Sequence, residues 1–124
     1  MTHTILLVEE NADLQFILRY RLERAGYHTV GATTARQALI EARMHTPSLI
    51  LVDMEDSGFE GYSALSQLRT EERLRQIPVV TLGTAHTDSD GSTFLAETRS
   101  GWSRVLEVVA RALESTAAGR DPSH

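Results

Sequence analysis

The sequence predicts an α/β fold built on a doubly wound parallel sheet, and three observations lead there. Short apolar runs alternate with stretches of helical periodicity along most of the chain. Two of these runs, Ile5 to Val8 and Leu49 to Val52, are apolar at every position, as expected of strands covered on both faces. Each is followed directly by an acidic residue, Glu9 or Asp53, and in such sheets the functional crevice lies at the carboxyl ends of the strands.

The elements follow in order. Ile5-Leu6-Leu7-Val8 is closed by Glu9-Glu10-Asn11. Leu14, Ile17, Leu18 and Leu22 then recur as one face of a helix, which Asn11 or Asp13 can cap and which Gly26 follows. Tyr27 to Ala32 reads as a second strand. Thr33 or Thr34 can cap a second helix carrying Ala38, Leu39 and Ala42, with Pro47 beyond its end. Leu49 to Val52 is the third strand, with Asp53 at its C-terminal end. A loop from Glu55 to Glu60, containing Gly58 and followed by Gly61, leads into a helix with Tyr62, Leu65 and Leu68. Pro78 opens a fourth strand, Val79 to Leu82. Thr84 to Thr93 is rich in Thr, Ser, Asp and Gly and reads as loop. Thr93-Phe94-Leu95-Ala96 is a weak fifth strand, and Ser100 or Gly101 precedes a final helix with Trp102, Val105, Leu106, Val109 and Leu113 on one side. This alternation is the pattern of right-handed βαβ units. Residues 1–115 are expected to form one domain, and 116–124, small and polar, a flexible C-terminal tail.

Composition narrows the function. A chain of 124 residues suits a single domain with its own core. A net charge of −5 argues against nucleic-acid binding, which needs a basic footprint. With no cysteine, disulfides, thiolate catalysis and cysteine-based zinc sites are excluded. The apolar runs are too short to span a bilayer, and the N-terminus lacks the pattern of a signal peptide, so a cytoplasmic protein away from membranes is expected. The five histidines make no metal-ligand spacing. Asp88-Ser89-Asp90-Gly91 lacks the closing ligands of a calcium loop. Trp102 is expected in the core, with an interface anchor as the alternative. Arg19, Arg21 and Arg24, with Glu23, form a solvated helix face or a docking face for a partner protein.

The acidic residues carry the chemistry. Two strand ends are expected to gather Glu9, Glu10 and Asp53 into one pocket. Clustered carboxylates repel unless a cation is present. Oxygen-only ligands suit Mg²⁺, which keeps several waters and uses one or two carboxylates. In-line attack by Asp53 on a phosphoryl group would give an aspartyl phosphate, a step that asks mainly for positioning and charge neutralisation.

On these residues the chain resembles a response-regulator receiver domain, the flavodoxin-like receiver fold. The matching pieces are ILLVEEN (5–11), LILVDM (49–54), DSGFEGY (56–62) and IPVV (77–80), and the resemblance holds over about residues 4–82. It implies Asp53 as phosphoacceptor, and Mg²⁺ held by Glu10, Asp53 and Glu9 with the backbone carbonyl of Glu55. It implies a histidine kinase or phosphotransfer protein upstream and a downstream protein partner. The expected output is protein–protein contact in a phosphorelay, with a homodimer expected and no enzymatic turnover.

Several positions depart from the family pattern. Glu10 stands where the family usually has Asp. Gly83 stands where the fourth strand usually ends in Ser or Thr, and the adjacent Thr84 falls on the opposite strand face. Glu97, followed by Thr98, stands where the fifth strand usually ends in Lys; Arg99 is two residues away, and the sequence contains no lysine. The stretch from Thr84 to Glu97 is short for a parallel crossover, so the fourth crossover helix is expected to be lost or shortened. Two mechanisms therefore stand side by side: phosphorylation at Asp53, or a phosphorylation-independent pseudo-receiver acting by dimerisation or docking. A small nucleotide- or flavin-binding protein is a third reading, weakened because no Gly-rich phosphate loop follows the first strand.

Overall fold

A computed structural model describes residues 2–54, 59–83, 93–96 and 101–119. Five strands, β1 (Thr4–Val8), β2 (His28–Ala32), β3 (Leu49–Asp53), β4 (Val79–Leu82) and β5 (Thr93–Ala96), pair in the order β2-β1-β3-β4-β5. Every pairing is parallel. Four helices accompany them: α1 (Ala12–Arg24), α2 (Ala35–His45), α3 (Phe59–Arg69) and α4 (Trp102–Gly119). This is the doubly wound parallel sheet that the alternating pattern predicts.

The uniformly apolar strands explain why helices cover both sides. Along a strand successive side chains point to opposite faces. Leu6, Val8, Ile50 and Val52 accordingly join the buried alanines of α2 and Leu65 and Leu68 of α3. Leu7, Leu49, Leu51 and Val80 join Leu22 of α1 and Val105, Val109 and Leu113 of α4. The central strands β1 and β3 thus hold two cores apart while belonging to both.

Local chemistry fixes the helix starts. Asn11 caps α1, its side chain accepting from the Leu14 N–H at 3.0 Å, and Thr34 caps α2, accepting from the Gln37 N–H at 3.0 Å. Each cap satisfies an amide that has no partner inside its own helix. After α1 the chain turns at Gly26, whose φ of 101° is disfavoured for L side chains.

Two helix faces differ from expectation. In α1, Leu14 and Leu18 are half-buried and Leu22 is buried, but Ile17 lies 48 % exposed. Ile17 sits about 100° round the helix from Leu18, outside the inward arc. In α3, Leu65 and Leu68 are buried whereas Tyr62 is exposed, and Ala64 fills the inward position instead.

Side-chain links join α2 to α3 and to the turn that follows it. Arg43 Nε donates to Glu71 Oε1 at 2.9 Å in an ion pair. This hydrogen bond holds the Glu71 carboxyl below the usual carboxylate range. At the other end, the Ala35 N–H donates to Glu60 Oε1 at 2.8 Å.

Among the described residues no helix stands between β4 and β5. The loop expected to have lost or shortened its helix, residues 84–92, lies outside the described residues. The final helix runs to Gly119, beyond the boundary expected at residue 115. Residues 120–124 of the expected tail also fall outside the described residues.

Candidate functional site at the carboxyl ends of β1 and β3

Neighbouring strands bring the two key acids together. β1 and β3 pair directly, with Val8 opposite Val52. Glu9 and Asp53 each come one residue later, so the fold sets them side by side at the carboxyl edge of the sheet. Asp53 is the last residue of β3, opposite Leu82, and Gly83 follows on the next strand. The ladder continues past the acid, since the Met54 N–H donates to the Leu82 carbonyl at 3.0 Å. Asp53 is therefore a carboxylate on a rigid strand end, 5 % exposed.

The two glutamates play different parts. Glu9 is fully buried. Its N–H donates to the Ala32 carbonyl at 2.9 Å, its Oε2 accepts from the Asn11 N–H at 2.9 Å, and its carbonyl accepts from Gln15 Nε2 at 3.2 Å. It thus anchors the turn from β1 into α1. Glu10 is exposed. Among the described residues no three acidic or histidine side chains gather closely enough to share a metal ion. Of the three acids expected to share one pocket, Glu9 and Asp53 are buried and Glu10 lies at the surface. The donor set still fits Mg²⁺ in kind, as oxygen ligands of which one or two carboxylates suffice.

Gly61, in the first turns of α3, presses on the acid's backbone. A Cβ at this position would stand 3.2 Å from the Asp53 carbonyl oxygen, 3.2 Å from Val52 Cγ1 and 3.0 Å from Met54 Sδ. The methionine can yield, but the hydrogen-bonded strand cannot do so freely. Gly61→Ala gains about 0.5–1 kcal/mol of helix propensity and loses about 1–3 kcal/mol to overpacking. We expect a net loss of about 1 kcal/mol in chemical denaturation; an unchanged or raised midpoint would contradict this packing.

The fourth strand contributes no hydroxyl at its end. Gly83 is buried with φ 139°. Thr81 is buried two residues earlier, opposite Val52, and strand alternation gives it the same face as Val79. A threonine inside the otherwise apolar VVTL is its only signal in the sequence. Glu55, Thr84, Glu97, Thr98 and Arg99 lie outside the described residues.

Comparison with known proteins agrees with this geometry. The chain is 35 % identical over 80 residues to the polar-differentiation response regulator DivK of Brucella ovis, covering 64 % of this chain and 65 % of that protein. The chain therefore matches just under two thirds of that relative's length. Among solved structures it is similar to the chemotaxis protein CheY4 of Vibrio cholerae (18 % identity, TM-score 0.76, 90 % of this chain and 99 % of that one). It is also similar to NtrX of Brucella abortus (24 % identity, TM-score 0.80, 99 % of this chain and 29 % of that one). At such identities these structures speak for the flavodoxin-like fold alone. The model of the response regulator receiver domain matches residues 5–102, from the second residue of β1 to the first of α4, and the chain therefore belongs to the response-regulator receiver family.

Proposed function

We propose that the chain is an atypical receiver of the cytoplasm that accepts a phosphoryl group on Asp53 from a histidine kinase or phosphotransfer protein. It would signal onward by protein contact. The observation that carries this reading is the placement of Asp53: a nearly buried carboxylate at the last position of β3, beside Glu9 on the adjacent strand. One Asp53 oxygen attacks the phosphorus, a P–O bond forms, and the bond to the donor's nitrogen breaks as the donor leaves. The β3–β4 ladder holds the attacking oxygen in place, which is most of what such a transfer asks of a protein. Glu10 and Asp53, with the Glu55 carbonyl, are the groups that would hold Mg²⁺, which when bound neutralises phosphoryl charge. Glu9 is assigned to the scaffold, given its burial and its bond to Asn11.

A second reading rests on a specific observation. Gly83 offers no hydroxyl, and no lysine exists anywhere in the sequence to pair with a phosphorylated Asp53. A receiver lacking both would work as a phosphorylation-independent dimerisation or docking module. Exposure to a small-molecule phosphodonor, with Mg²⁺ or with a chelator, separates the two by intact mass. A phosphate adduct in the parent chain and none in Asp53→Asn is the result expected of the phosphoacceptor. A chain that takes up no phosphate, yet forms a stable dimer, is the pseudo-receiver.

A further inference from the structure

The outward side of α1 is open and complementary to itself. Given 3.6 residues per turn, Asp13, Phe16, Ile17, Tyr20 and Arg24 share one stripe of the helix, opposite the buried Leu22. Phe16 is 73 % exposed and Tyr20 55 %, beside the half-exposed Ile17. Single exposed apolar residues are ordinary, whereas three on one helix face make a patch. Tyr20 also stands as a ridge between two clefts. One, of about 420 Å³, is lined by Tyr20, Arg21, Arg24, Ala25, Trp102 and Leu106. The other, of about 200 Å³, is lined by Phe16, Arg19, Tyr20 and Glu23.

The charges give the direction. Asp13 lies in the first turn of α1 and Arg24 in the last. Among the described residues neither forms an ion pair. A two-fold axis between Leu18 and Arg19 would set Asp13 of one copy against Arg24 of the other, Ile17 against Tyr20, and Phe16 against Arg21. An isologous interface requires this kind of self-complementary patch. An acid at the start of a helix and a base at its end also complement the helix dipole. That accounts for the signs of the charges, but not for the three apolar side chains between them on the solvent side.

We propose that this stripe is a docking surface for a second copy of the same chain, with α1 packed antiparallel on α1. The helix has 13 residues, about 20 Å of length. Such a contact belongs to the smaller, transient class of interface, below about 1,200 Å², so the dimer dissociates on dilution. The inference is independent of phosphoryl chemistry at Asp53.

Sedimentation equilibrium of the full chain over a wide concentration range tests it. The average mass is expected to rise toward the dimer with concentration. Ile17→Asp is expected to keep the chain monomeric, with circular dichroism confirming an intact fold. Asp13→Arg and Arg24→Asp are each expected to weaken association by about tenfold, since each sets like charges together twice per interface. Combining the two should restore it, an outcome that loss of folding cannot imitate. Asp53→Asn should leave association unchanged, so failure here is distinct from failure of the phosphoacceptor reading. A monomer at every concentration overturns the proposal, as does a dimer indifferent to Ile17→Asp or a double charge swap that restores nothing. A monomer whose phosphate uptake from a kinase falls with the same substitutions assigns the stripe to that partner, and likewise overturns it.

Discussion

Ile50→Ala and Leu51→Ala should each lower stability by about 2–5 kcal/mol, although the two residues are adjacent and share no core. Both side chains are fully buried in β3. Ile50 packs with the cluster under α2 and α3, and Leu51 with the cluster under α1 and α4. Truncation removes buried apolar area and leaves a cavity that the surrounding sheet and helices close only in part. Equilibrium unfolding in urea checks this, and the two losses should be close to additive, because each cavity opens on a different side of the sheet. A double variant costing no more than one single would mean that the two sides are not separate cores.

Restoring the missing hydroxyl by Gly83→Thr is expected to damage the protein rather than repair it. Gly83 is buried with φ 139°, a conformation that costs a residue bearing a Cβ about 1–3 kcal/mol. A β-branched side chain adds crowding to that strain. The expected result is a urea midpoint lowered accordingly, with no gain in phosphate adduct over the parent chain. A variant of parental stability that held phosphate better would show that the end of β4 relaxes readily and that the glycine is incidental. In physical terms, the departure at residue 83 is a change of backbone as well as of side chain.

The strands were legible because their signal is strong and local. Leu49 to Val52 is an unbroken apolar run and Val79 to Leu82 is apolar but for Thr81, and the structure places β3 and β4 there. The weak run Thr93 to Ala96 also forms β5 as read. The helices existed where the spacing put them, but their faces were harder to read. Ile17 and Leu18 are equally apolar, and only the arc set by Leu14, Leu18 and Leu22 determines which one turns inward. The choice between Thr33 and Thr34 as cap depended on backbone geometry that composition does not encode. In the site, the convergence of Glu9 and Asp53 followed from strand adjacency. The divergence of Glu9 from Glu10 did not, because two neighbouring glutamates look alike until the chain leaves the sheet between them.

Glu60 makes the two crossovers on one side of the sheet start from a common pin. It belongs to the first turn of α3, yet its carboxylate holds the amide that opens α2. Arg43 and Glu71 fasten the same side further along. A displacement that begins just after Asp53 and reaches α3 would therefore pull α2 with it. Whatever reads the molecule from that side would meet a pair of helices moving as one plate.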